Sequence, residues 1–94
     1  MTTHHASTVD RTVRAVLKDV LALSAERVAA FDDGTALFGA LPELDSMAVA
    51  GVLTEIEDRL HILIDDDEVD GEMLESFGAL RRFAEAKVAA KKGG

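Results

Sequence analysis

Apolar residues recur at three- and four-residue intervals in three separate stretches of this chain. That spacing places them on one face of a helix, so it predicts three main helices. We predict a first helix capped by Ser7 or Thr8, a second from about Ser46 to Leu60, and a last one from Phe77 to about Ala90 that Ser76 caps. The residues expected to face inward are Val9, Val13, Val16, Leu17, Val20 and Leu21, then Val49, Val52, Leu53, Ile56 and Leu60, and finally Leu80, Phe83, Ala84 and Val88.

The stretch from Leu23 to Leu44 carries turn signals instead of a helical pattern. Asp32-Asp33-Gly34 and Gly39 favour turns, and Pro42 stops regular structure. We therefore expect a long loop after the first helix, and loops of this length in small domains are often functional. Four apolar side chains are expected to pin it to the core: Val28, Phe31, Leu37 and Phe38.

The segment after the second predicted helix contains a strand-like run, from His61 to Ile64. No second strand exists to pair with it, so we interpret it as an apolar connection. Asp70 is then expected to cap a short helical turn from Gly71 to Leu74. Together these elements predict an all-α fold, a small four-helix bundle of three main helices and one short helix.

Length and composition limit the classes of protein that this chain can represent. Its 94 residues are enough for one domain, which we expect to be ordered from about 7 to 90, with flexible ends at 1–6 and 91–94. The absence of cysteine excludes disulfides, thiolate zinc sites and a cysteine nucleophile. No apolar run is long enough to span a bilayer, and the first residues lack the layout of a secretory signal. We therefore expect a cytoplasmic monomer.

The net charge of −8 is concentrated in the middle of the chain. The segment 32–75 holds fourteen acidic residues against one base, Arg59, which gives it a charge of −13. Such a segment should repel nucleic acid and attract basic protein surfaces. We also expect folding to crowd six acids around a short turn and to raise the pKa values of some of them: Asp65, Asp66, Asp67, Glu68, Asp70 and Glu72.

Ser46 lacks the partners that a nucleophilic serine requires. The nearest histidine in sequence, His61, lies at the far end of the helix that Ser46 begins, and the fourteen residues between them put it roughly 20 Å away at 1.5 Å per residue. The acidic run also fails as a calcium-binding loop, because Phe77 would occupy the position of the bidentate glutamate. The sequence therefore predicts no catalytic residue and no metal site.

Five motifs occur together in order along the chain. They are Thr35-Ala36-Leu37-Phe38-Gly39, Leu41-Pro42-Glu43-Leu44-Asp45-Ser46-Met47, Glu55-Ile56-Glu57-Asp58-Arg59-Leu60, Asp65-Asp66-Asp67-Glu68 and Ser76-Phe77-Gly78-Ala79-Leu80. As an ordered set over residues 9–87, they resemble the acyl carrier protein family, in its discrete bacterial form. Two departures are Met47, where the family usually has leucine, and the missing glycine before Asp45.

The resemblance implies a carrier protein and not an enzyme. A phosphopantetheinyl transferase using Mg²⁺ would join 4′-phosphopantetheine from coenzyme A to Ser46, and the thiol of this arm would hold acyl groups as thioesters. Asp45 matches the aspartate that presents the site to the transferase. We further expect Met47, Glu57 and Asp58 to contact the basic surfaces of the transferase and of acyl-transfer or synthase enzymes.

Two alternatives remain open from the sequence. An aminoacyl carrier, of the D-alanyl or peptidyl type, would share the fold and the serine. An acidic helical adaptor would bind basic proteins with Ser46 as a plain helix cap. The sequence names neither the acyl group nor the pathway, whether fatty acid, polyketide or exopolysaccharide-linked.

Overall fold

A computed structural model describes the backbone of residues 4–93 and the side chains of residues 8–91. It contains helices α1 (His4–Leu21), α2 (Ala25–Ala29), α3 (Ser46–Leu60) and α4 (Phe77–Gly93), with a 3₁₀ turn at Asp66–Glu68. Helix α1 contacts each of the other three helices. The predicted all-α fold, a small four-helix bundle, is confirmed.

The predicted inward faces form the core. Every inward position of α1 is buried except Val20, which is half-buried against the core. In α3 and α4 four of the predicted inward residues are fully buried and the others are half-buried; the buried four are Val52, Ile56, Leu80 and Ala84. Six further core residues were not predicted, and all lie outside the helix interiors: Leu23, Leu44, Ile62, Met73, Leu74 and Phe77.

Several predicted boundaries are wrong. Helix α1 begins at His4, not after a cap at Ser7 or Thr8, since a cap contributes only about 1 kcal/mol and does not stop a helix that can extend upstream. The loop after α1 contains the one-turn helix α2, which Ser24 caps by accepting a hydrogen bond from the Arg27 amide at 3.1 Å.

The segment after α3 and the two chain ends also differ from the prediction. The stretch 71–74 is a hydrogen-bonded turn, although Asp70 does cap it by accepting from the Met73 amide at 3.0 Å. Helix α4 continues to Gly93, past Ala90. Residues 1–3 and 94 lie outside the described residues, and the flexible ends and single domain stay predictions.

The long loop supplies the hydrogen-bond acceptors for the start of α4. The carbonyl oxygens of Thr35 and Asp33 accept from the amides of Phe77 (2.8 Å) and Gly78 (3.0 Å). The first amides of a helix have no acceptor within it, so a partner from another segment stabilises its start. Gly78 allows this approach, because a Cβ atom there would lie 2.8 Å from the Cβ and carbonyl oxygen of Asp33.

Backbone pairing continues from the loop into the residues before α4. The amides of Leu37 and Phe38 donate to Glu75 and Leu74, both at 3.0 Å. Ser76 caps α4 as predicted, with its hydroxyl accepting from the Ala79 amide at 3.1 Å. Of the four predicted anchors of the loop, Val28, Phe31 and Leu37 are buried, whereas the prediction for Phe38 is wrong because its side chain is 48% exposed.

Arg14 connects α1 to this junction. Its guanidinium donates to Asp10 and to the carbonyl oxygen of Val28, and its Cζ lies 4.5 Å from the centre of the Phe77 ring. The Phe77 ring in turn lies 6.0 Å from that of Phe31, with the planes tilted by 53°. The half-buried guanidinium of Arg14 therefore has oxygen acceptors at its edge and an aromatic ring against its face.

Helices α1 and α3 both end in a left-handed residue that is not glycine. Ala22 and His61 each have a φ of 57°. After each one, the next amide donates back into the helix, from Leu23 to Lys18 at 3.0 Å and from Ile62 to Glu57 at 3.1 Å. This ending reverses the chain, and it returns the segment after α3 alongside that helix.

The close contact at Gly78 predicts a large effect of a single methyl group. Gly78→Ala should lower the free energy of unfolding by about 1–3 kcal/mol, because the new Cβ meets loop backbone that cannot move without breaking its hydrogen bonds. Gly71→Ala is the matched control, since nothing lies within 4 Å of its Cβ position, and it should be neutral or slightly stabilising. Urea unfolding of both variants measures the difference. Equal stabilities would contradict the tight junction.

Candidate functional site

Ser46 is the first residue of α3, and its side chain is exposed. The cap of this helix is Asp45, whose Oδ1 accepts from the Ala48 amide at 2.8 Å. The alternative in which Ser46 is a plain cap is therefore wrong. Within the described residues the Ser46 hydroxyl has no hydrogen-bond partner. Its oxygen is accessible and has no structural role at the helix start.

The chain that enters the site is held on both sides of Asp45. Leu44 is buried, with 3% of its surface exposed, so it anchors the backbone to the core. Before it, Glu43 accepts a hydrogen bond from Arg27 of α2 at 2.9 Å. That bond, aided by a backbone hydrogen bond, lowers the pKa of Glu43 below its ordinary value. The short helix α2 thus holds the segment just before Ser46 in place.

The three residues predicted to contact partners occupy different environments. Met47 is 85% exposed and Asp58 is exposed, so both side chains are accessible. Glu57 is half-buried, and its Oε2 accepts from the amide of Ile64 at 2.7 Å. Glu57 therefore ties α3 to the returning segment, and its contact with a partner stays a prediction, as do those of Met47 and Asp58.

A groove of about 480 Å³ begins at Ser46 and lies between α3 and the returning segment. One wall follows a helical stripe of α3 and the other comes from the residues after His61. The lining residues are Ser46, Val49, Ala50, Leu53, Thr54, Glu57, Ile64, Asp66 and Val69. Its volume lies within the usual range of small-molecule sites.

Sequence reasoning missed this groove, although half of it was visible. From Ser46, residues at +3, +4, +7, +8 and +11 form one stripe of α3, which the three-four spacing could have identified. The opposite wall could not be placed from the sequence. It depends on the left-handed His61, which turns Ile64 and Val69 back toward α3.

The acidic segment is partly neutralised by bases. Arg59 pairs with Asp19 of α1 at 2.9 Å and with Glu55 at 3.0 Å. Lys87 of α4 donates to both oxygens of Glu68, at 2.8 and 3.0 Å. The hydrogen bond from Lys87, followed by one from the Asp65 amide, lowers the pKa of Glu68. The expectation that crowding raises the pKa values in this cluster is therefore wrong for Glu68.

Two kinds of feature are absent from the described part of the chain. Its His, Cys, Asp and Glu side chains form no group of three or more that could hold a metal ion. None of its helices has the length and apolar character needed to cross a membrane.

The chain is similar to a protein of solved structure. No protein-family model matches the chain, and no curated protein matches it. The solution NMR structure of a holo acyl carrier protein from Nitrosomonas europaea superimposes with a TM-score of 0.77 at 40% sequence identity. The match covers 86% of this chain and 95% of that protein.

The ion pairs predict how stability responds to acid. Hydrogen bonds from Arg59, Arg27 and Lys87 lower the folded-state pKa values of Asp19, Glu43 and Glu68 respectively. Their contribution to stability is complete above the ordinary values of 3.8 for Asp and 4.5 for Glu, and it is lost as the pH falls through the lowered values. The melting midpoint should therefore decline below about pH 4.5.

Lys87→Met tests this explanation, because it removes the partner of Glu68. Its midpoint should be lower than that of the wild type at pH 7, and the difference should shrink toward pH 3. Lys91→Met is the control, since the Lys91 side chain lies near a carbonyl oxygen of α3 and not near a carboxylate. A midpoint that rises steadily as the pH falls from 7 to 3 would contradict the assignment.

Proposed function

Because this chain belongs to the acyl carrier protein family, we propose that Ser46 carries 4′-phosphopantetheine and that the arm presents acyl groups, as thioesters, to partner enzymes. The observation that carries this proposal is the accessible hydroxyl of Ser46, which is free of any capping role and stands at the entrance of a groove. In the transfer from coenzyme A, the serine hydroxyl loses its proton and its oxygen bonds to the phosphorus next to pantetheine, while the pyrophosphate P–O bond breaks and the nucleotide leaves with the other phosphate.

The start of α3 suits the phosphodiester that would result. A helix N-terminus favours an anion through its dipole and its amides that lack acceptors. Asp45 already occupies the Ala48 amide, so the modification of Ser46 removes no capping bond. We assign Asp45 a second role, which is to present the site and its Mg²⁺ to the transferase.

The groove supports the storage of cargo beside the arm. Much of its lining is apolar, with Val49, Ala50 and Leu53 on α3 and Ile64 and Val69 on the opposite wall. Apolar groups removed from water contribute about 25 cal/mol per Å² of buried surface, so an acyl chain would gain by entering. The terminal thiol of the arm supplies the thioester chemistry, which this cysteine-free chain lacks.

Partner recognition is proposed to use the exposed part of α3. Met47 offers an apolar contact at the side of Ser46, and Asp58 contributes a negative charge further along the helix. Basic enzyme surfaces complement this face. An aminoacyl carrier would share each of these features, so the loading enzyme and not the fold distinguishes that alternative. We place the activity in a cytoplasmic monomer.

Ser46→Ala tests the attachment site. With coenzyme A, Mg²⁺ and a promiscuous transferase, the wild-type chain should gain the mass of one phosphopantetheine, and the variant none. The variant should keep its melting midpoint, since Asp45 provides the cap. Ser76→Ala is the matched control at another helix start: it should be modified fully and lose about 1 kcal/mol, because Ser76 is a capping residue. If Ser46→Ala still gains the mass, the arm is attached to another residue and the assignment to Ser46 is wrong.

Asp58→Lys tests electrostatic recognition. The reversal should slow modification by the transferase at low salt, and salt should narrow the gap because the screening length falls to about 3 Å at 1 M. Asp58 is the better position for a reversal than Glu57, whose substitution by lysine would also break the bond to Ile64. Asp67→Lys, on the 3₁₀ turn, controls for the change in net charge alone. Equal rates for all three proteins would contradict steering through α3.

A further inference from the structure

The groove beside Ser46 changes character along its length. On α3, the residues nearest to Ser46 are apolar, whereas the stripe ends at Thr54 and Glu57. Glu57 lies eleven residues beyond Ser46, about 16 Å along the helix axis at 1.5 Å per residue. Asp66, on the opposite wall, adds a second carboxylate to the lining. The groove therefore combines an apolar section next to the serine with acidic side chains in its lining.

The Glu57 carboxylate is fixed in this position. Its Oε2 accepts from the Ile64 amide at 2.7 Å, and the Ile64 side chain itself lines the groove. If Glu57 rotated away, the half-buried amide would lose its acceptor, and an unsatisfied polar group of this kind is unfavourable. The Glu57 carboxylate therefore cannot move out of the groove without breaking the hydrogen bond that holds Ile64 against α3.

We infer that Glu57 is a specificity-determining residue that limits the length of the acyl groups that the groove can hold. An alkyl chain that lies in the groove and extends to Glu57 would press against its carboxylate without offering a hydrogen bond, which disfavours burial of further methylenes. The inference rests on the proposed function, because it concerns the cargo of the arm on Ser46. It assigns the length limit to this side chain and not to the volume of the groove alone.

The test compares acyl groups of increasing length on the same arm. The wild-type protein is loaded with acetyl, butyryl, hexanoyl, octanoyl and decanoyl pantetheine arms from the corresponding acyl-coenzyme A, and each product is verified by intact mass. The melting midpoint is then measured against the protein carrying the free arm. Each methylene that becomes fully buried should raise the midpoint by at most roughly 3–6 °C. We expect the rise to stop by octanoyl.

Variants at Glu57 separate its charge from its hydrogen bond. Glu57→Leu replaces the carboxylate by an apolar group, so the midpoint should continue to rise through decanoyl. Glu57→Gln keeps an acceptor for the Ile64 amide and removes the charge, so it should fold as the wild type does and extend the rise by a smaller amount. Asp67→Leu removes a carboxylate from the neighbouring 3₁₀ turn outside the groove, and its series should stop where that of the wild type stops.

Each outcome bears on one proposal. If no mass is added to Ser46, the proposed function fails. If loading succeeds but the Glu57→Leu and Glu57→Gln series stop at the same length as the wild type, the assignment to Glu57 is overturned. A wild-type series that still rises at decanoyl, or an Asp67→Leu series that extends like that of Glu57→Leu, would overturn it as well.

Discussion

The contact between the Arg14 guanidinium and the Phe77 ring holds together parts of the chain that are far apart in sequence. Arg14 belongs to α1, and its hydrogen bond to the Val28 carbonyl brings in α2. Phe77 is the first residue of α4, has no exposed surface, and packs its ring near that of Phe31 in the long loop. A half-buried cation needs oxygen or aromatic partners at every face, because its desolvation is otherwise unfavourable. The loop and the start of α4 are therefore positioned relative to α1 by one charge.

The position of the loop in turn defines the approach to Ser46. Once the loop is fixed, the Arg27–Glu43 bond and the burial of Leu44 bring the chain into α3 at a set angle. The capping of α3 falls to Asp45, which leaves the neighbouring hydroxyl available. The helix cap and the exposed hydroxyl thus belong to adjacent side chains. The hydrogen bond to the Ala48 amide is therefore independent of the Ser46 hydroxyl.

The sequence predicts the long helices well, because each one contains enough apolar residues to show the helical period. Helix α3 has the predicted bounds, since its apolar positions repeat over four turns. Helix α2 has five residues, too few to display a period, and the start of α1 depends on a small difference between cap and helix energies. The candidate serine follows from its neighbours in sequence. The groove does not, because the contact of Glu57 with Ile64 depends on the chain reversal at His61, which side-chain patterns do not reveal.

The junction between the loop and α4 is built from main-chain atoms. The bonds from Phe77 and Gly78 end on carbonyl oxygens, which every amino acid possesses, so the identities of Thr35 and Asp33 matter little to them. The junction does require a fixed register between the loop and the start of α4. One residue inserted between Asp33 and Leu37 would misalign the backbone hydrogen bonds between them. We therefore expect this loop to tolerate substitutions but not changes in length. The number of residues in the loop sets the distance between the first and last helices.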